Sequence, residues 1–144
     1  MSKSKFVKEW TSIAVNDLQN LVDDLKKTID LPAVIYLTGD VGAGKTTFVK
    51  KFLGDQFTNS PSYSLVIEGE DFIHCDFYRI EDIEEIIHLE LEAYFENKTI
   101  IFCEWGIQFY DEIDRYIPED FKIFELVIHI DTYNKRKFVL KKLT

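Results

Sequence analysis

The chain has 144 residues, of which 46% are apolar, 30% charged and 15% aromatic, the profile of one domain, residues 1–144, with a core of its own. Its 26 acidic and 17 basic residues give a net charge of -9, which argues against a protein that mainly grips a phosphate backbone. The longest apolar stretches run only four or five residues, so no membrane-spanning helix and no membrane partner are expected.

Residues 1–10 are basic but lack the apolar segment and small-residue cleavage site of a signal peptide. Residues 17–27 carry Leu18, Leu21, Val22 and Leu25 at helical spacing, which predicts an amphipathic helix closed off by Pro32. Residues 33–37 form a short, wholly apolar run, the mark of a strand buried on both faces of a parallel sheet. That strand ends at Gly39-Asp40-Val41-Gly42-Ala43-Gly44-Lys45-Thr46, which matches G-x-x-x-x-G-K-[ST]. Residues 46–53 read as the following helix, with Gly54 at its C-cap.

Strand followed by loop followed by helix is the context this motif demands. Its glycines let the backbone turn tightly and aim N–H groups at phosphate oxygens, to which the helix N-terminus adds partial positive charge. Lys45 is then placed for the β and γ phosphates and the Thr46 hydroxyl for Mg²⁺, with residues 39–46 and Thr47 as the nucleotide-binding set. Ser60-Pro61-Ser62 follows in a hydroxyl-rich loop, a place where segments that sense a γ-phosphate are found and also an ordinary surface turn.

Residues 63–67, 72–77 and 99–103 read as strands and 81–95 as a helix. Residues 126–130 and 138–140 read as later strands joined about Tyr133-Asn134. The alternation predicts an α/β chain: a P-loop NTPase-like three-layer fold, its central sheet mostly parallel, with helices on both faces and a C-terminal antiparallel hairpin. A phosphate loop needs a further carboxylate at the end of an apolar strand, and two qualify, Glu104 after residues 100–103 and Asp76 after residues 72–75. His74, Cys75 and Cys103 lack the paired spacing of a zinc site and read as core, and His88 and His129 receive no role. The two cysteines, both in apolar runs, suit a reducing cytoplasm. No N-K-x-D guanine signature is present, and a small-molecule kinase of the same fold stands as an alternative.

Beyond the loop, Ser60-Pro61-Ser62-Tyr63-Ser64-Leu65-Val66, Asp76-Phe77-Tyr78-Arg79-Ile80 and Glu104-Trp105 occur in the order and spacing of one family. With the loop they make the chain resemble the TsaE (YjeE) family of bacterial ATPases in tRNA threonylcarbamoyladenosine formation. The resemblance implies a cytoplasmic ATPase that uses ATP and Mg²⁺ and works with TsaB and TsaD, reaching tRNA through that complex. It implies that hydrolysis supports repeated turnover of the modification beside the anticodon of tRNAs reading codons that begin with A. Carried over by motif, Lys45, Asp76 and Glu104 are the catalytic set, with Asp76 assisting Mg²⁺ or positioning water; Thr46 and Glu104 hold Mg²⁺, and Trp105 packs beside the site or helps with coupling. Thr11 is the residue suggested near the adenine, and Arg79 or a partner residue completes the site. The family's E-W-P reads Glu104-Trp105-Gly106 here, which predicts a more mobile loop, and its S-P-T form has serine at 62 and 64. A nucleotide-responsive interaction module is the other alternative.

Overall fold

The computed structural model describes residues 4–57 and 65–144. Seven strands form one sheet: β1 (Lys5–Ile13), β2 (Ala33–Thr38), β3 (Val66–Glu68), β4 (Phe72–Asp76), β5 (Ile100–Glu104), β6 (Lys122–Thr132) and β7 (Lys135–Lys142). Their spatial order is β1-β7-β6-β2-β5-β4-β3. The four central strands β6, β2, β5 and β4 run parallel, while β3, β7 and β1 extend the sheet antiparallel at its two sides.

The apolar run of β2 is buried along its first five residues, and its alternation divides the core in two. Ala33, Ile35 and Leu37 share one buried cluster with residues of α1 (Leu18–Thr28) and α2 (Lys45–Leu53), among them Leu21, Leu25, Phe48 and Val49. Val34 and Tyr36 face the other side, with α3 (Ile83–His88), α4 (Leu91–Phe95) and α5 (Tyr110–Asp114) supplying Ile86, Leu91, Phe95, Tyr110 and Ile113. A sheet between two helical layers is the predicted three-layer arrangement, and β6 and β7 form the predicted hairpin.

Several elements depart from expectation. The segment before residue 17 contains β1, an edge strand with mostly exposed side chains that pairs antiparallel with β7. Lys8 and Trp10 on β1 both donate to Asp24 on α1, which ties this edge to the helical layer. The helix expected over 81–95 is two helices, because Glu90 adopts a left-handed backbone (φ 56°) that no continuous helix permits. Asp82 caps α3, accepting from the Glu84 N–H, while the Glu85 carboxylate accepts from the Asp82 N–H. Of the strand expected over 63–67, Tyr63 and Ser64 lie outside the described residues, as does all of Ser60-Pro61-Ser62, and β3 begins at Val66. Among the described residues no helix is long and apolar enough to cross a membrane.

Candidate functional site

The site is built where β2, β4 and β5 deliver their C-terminal ends to one side of α2. After Thr38 the chain turns through the glycine-rich loop into α2, whose first helical bond runs from the Phe48 N–H to the Gly44 carbonyl at 2.9 Å. The N–H groups of Lys45, Thr46 and Thr47 therefore have no carbonyl within the helix to bond, and with the helix dipole they favour an anion. Gly44, at φ 110°, occupies a backbone conformation that a residue with a Cβ rarely adopts.

Lys45 is 5% exposed, and its Nζ donates to the carbonyls of Gly39 at 2.6 Å and Asp40 at 3.0 Å. The same ammonium lies 4.3 Å from the centre of the Trp105 ring. Burial holds the Lys45 pKa below its ordinary value, opposed by the nearby charges of Glu104, Asp76 and Asp40. Trp105 is itself held at φ 58° and meets Tyr78 edge-on with ring centres 5.0 Å apart.

The two candidate carboxylates come from neighbouring strands in parallel register, Asp76 beside Glu104. Alternation sends Phe72 on β4, with Ile100 and Phe102 on β5, to the face that carries α2. His74, Asp76 and Glu104 continue those same faces towards the loop. Glu104 is 3% exposed. Both of its oxygens stand 3.0 Å from the Thr46 Oγ1, and Oε2 lies 2.5 Å from the His74 Nε2. Asp76 is less enclosed and accepts from the Tyr78 N–H at 3.1 Å. Burial raises its pKa above the ordinary value, the Tyr78 N–H pulls it down, and the negative charge of Glu104 raises it again.

A cavity of about 490 Å³ opens over these groups, lined by Val41, Gly44, Lys45, Thr46, Leu65, Asp76, Arg79, Glu104 and Trp105 among others. A smaller cavity of about 170 Å³ adjoins the other side of the loop, between Ile13, Ala14 and Val15 and the β6–β7 turn. Gly42, Gly44 and Thr47 line both, so the loop is the wall they share. Thr11 is not in that smaller cavity. It lies two residues upstream, on β1, in a shallow hollow with Trp10, Asp17 and Asn20.

Sequence reasoning brought Lys45, Thr46, Asp76 and Glu104 to one place, and the structure assembles them there. It missed Arg136 and His74. Arg136 donates from Nε to the Ala43 carbonyl at 3.0 Å and from a terminal nitrogen to the Gly42 carbonyl at 3.2 Å. Its other terminal nitrogen reaches the Thr132, Tyr133 and Lys135 carbonyls, so one guanidinium braces the phosphate loop against the hairpin. The only signal in the sequence was the basic run of Lys135, Arg136, Lys137, Lys141 and Lys142, with no spacing to select one member. His74, read as a core residue, is buried but bonded to Glu104. Alternation along 72–76 does place it on the face of Asp76, two residues away. Gly106 is buried, and a Cβ there would stand 3.1 Å from the Cys103 Cβ and 3.3 Å from the Phe77 ring. The segment after Trp105 is thus packed tightly where a mobile loop was expected.

The Thr46 hydroxyl and the Glu104 carboxylate are hard oxygen donors side by side, a pair that suits Mg²⁺, which takes one or two protein oxygens and keeps waters. Among the described residues no group of three or more His, Cys, Asp or Glu is placed to hold a metal ion.

A parallel sheet whose first central strand runs through a glycine-rich loop into a helix, with a buried carboxylate facing that helix, defines the phosphate-loop class of proteins. A solved structure of YdiB from Bacillus subtilis shares the fold, with a TM-score of 0.66 at 22% identity over 99% of this chain and 87% of that one. The model of the family "Threonylcarbamoyl adenosine biosynthesis protein TsaE" matches residues 13–138, and the chain belongs to this family. It is 33% identical to tRNA threonylcarbamoyladenosine biosynthesis protein TsaE of Haemophilus influenzae over 76% of this chain and 70% of that protein. It is 41% identical to the Bacillus subtilis protein of the same name over 60% and 56%, and 33% identical to that of Aquifex aeolicus over 92% and 95%.

Proposed function

We propose that the protein is an ATPase that uses Mg²⁺ and serves threonylcarbamoyladenosine formation on tRNA together with TsaB and TsaD in the cytoplasm. The observation that carries this reading is the Thr46–Glu104 pair at the mouth of the phosphate loop, in a chain of the TsaE family. The free N–H groups at the start of α2 would take the β and γ phosphates, and Lys45 would exchange its carbonyl partners for phosphate oxygens. Thr46 and Glu104 would hold Mg²⁺, which when bound supplies positive charge against the phosphate oxygens.

Asp76 lines the same cavity and is the group available to orient water, while Arg79, which also lines it, is the cation available in cis. Catalysis of this kind is positioning and electrostatics. The smaller cavity beyond the loop, lined by Ala14, Val15, Tyr133 and Phe138 with Asn134 and Arg136, offers a largely apolar place for the base. Arg79 or a residue of a partner protein completes the arrangement, so hydrolysis by the isolated chain is slow. The acidic surface makes binding of tRNA by the chain alone weak.

The test is reconstitution. With TsaB, TsaD, tRNA and threonylcarbamoyl-adenylate, the protein and ATP should give several modified tRNAs per TsaD, and Lys45→Ala should limit the yield to about one. Equal yields with the two proteins would overturn the reading. A variant that binds ATP without hydrolysing it, yet sustains full turnover, would favour a nucleotide-responsive interaction module instead.

A further inference from the structure

The buried pair of His74 and Glu104 is not accounted for by packing. Glu104 is almost wholly enclosed, and a buried carboxylate is tolerated only when its oxygens are bonded. Among the described residues its side chain is bonded by Thr46 on one side and His74 on the other. As a carboxylate Glu104 can only accept, so the proton they share belongs to Nε2 of His74. The other ring nitrogen, Nδ1, is buried without a hydrogen-bond partner among the described residues. A histidine kept only as core would be expected to satisfy both nitrogens or to be replaced by an apolar side chain.

The neighbours restrict the ring further. His74 lies opposite Phe102 on β5 and packs near Phe57, with ring centres 6.2 Å apart. The imidazole is fixed from the strand and from the side, and its one short bond runs to the oxygen that also faces Thr46.

We propose that His74 is a positioning residue of the cation site: its Nε2–H fixes the Glu104 carboxylate so that its oxygens are presented to the Thr46 hydroxyl. This rests on the reading of Thr46 and Glu104 as the holders of a divalent cation. Outer partners of a metal carboxylate set both its orientation and its basicity, and their loss typically costs about 10–100-fold in metal affinity.

The probe is Mn²⁺, titrated by electron paramagnetic resonance into the full chain with a non-hydrolysable ATP analogue, beside nucleotide affinity measured in EDTA. His74→Leu removes the donor. His74→Gln carries an amide N–H that reaches the place of Nε2, and His74→Asn is too short to do so. His74→Leu, or His74→Asn should the leucine variant not fold, is expected to weaken Mn²⁺ binding about 10–100-fold, with His74→Gln restoring it to within about threefold. Nucleotide affinity in EDTA should stay within about twofold in all of them, since the ring touches no loop N–H. Wild-type Mn²⁺ affinity in a folded loss variant would overturn the proposal. So would parallel losses of Mn²⁺ and nucleotide binding that glutamine does not rescue, which would mark His74 as structural. Failure of the underlying reading looks different: the wild-type nucleotide complex would itself bind no Mn²⁺.

Discussion

The hydroxyl of Thr46 stands 3.0 Å from both oxygens of Glu104, a side chain 58 positions further along the chain. Helix α2 brings one and the end of β5 brings the other, and the parallel register of β2 with β5 sets the distance between them. If this pair holds the cation, Glu104→Ala should lower hydrolysis by about 100-fold or more while leaving nucleotide binding in EDTA within a few-fold of wild type. Hydrolysis assays and a fluorescent-nucleotide titration measure the two quantities separately. Equal loss of both would mean that Glu104 supports the loop itself.

Arg136 should matter to nucleotide binding more than its distance in sequence suggests. Arg136→Ala releases the Gly42 and Ala43 carbonyls, and bonds to a charged donor contribute about 1.5–3 kcal/mol each, so affinity should fall at least about tenfold. Arg136→Lys should not recover it, because a single ammonium cannot span the loop and the hairpin turn as the planar fork does. Unchanged affinity in Arg136→Ala would show that the loop holds its shape unaided.

Gly39 is required for space. A Cβ at this position would stand 2.7 Å from the Ile128 carbonyl oxygen and 3.1 Å from the Ala43 Cβ, so Gly39→Ala must push the loop away from β6. Overpacking of this kind costs about 1–3 kcal/mol, readable as a lower midpoint in urea unfolding, and nucleotide affinity should drop with it. A variant as stable and as tight as wild type would mean that β6 yields instead.

Much of the site was legible because it is local. The phosphate loop is contiguous, and its flanking strand and helix carry unmistakable periodicity, so residues 33–54 were read almost to the residue. Glu104 and Asp76 were legible because an apolar strand that ends in a lone acid has few other uses in a parallel sheet. What escaped was non-local or conformational. Strand β1 is an exposed edge with bulges, so its sequence lacks the clean alternation of a half-buried strand. The break at Glu90 depends on one backbone angle in a segment whose apolar spacing suits a single helix. Arg136 and His74 act through carbonyls and a carboxylate that only the folded sheet brings near them.

Asp76 gives the molecule a pH dependence of definite sign. Its native pKa lies above the ordinary 3.8, mainly through burial. Between the two values the native state binds more protons than the unfolded one, so this carboxyl makes stability fall as pH rises through that window. Asp76→Asn lacks the effect. Its melting temperature relative to wild type should therefore climb as pH is raised from below 3.8 towards neutrality and then level off. A difference that is constant with pH, or that shrinks, would contradict the burial of Asp76 as the dominant influence.

The most direct measurement is release of labelled phosphate from γ-³²P-ATP by the purified chain, with Mg²⁺ and with EDTA, beside Lys45→Ala. Slow release that requires Mg²⁺ and vanishes in Lys45→Ala, with circular dichroism unchanged, is the expected result. Release that persists in Lys45→Ala, or that ignores EDTA, would contradict the assignment of the phosphate loop and the Thr46–Glu104 pair as the hydrolytic site.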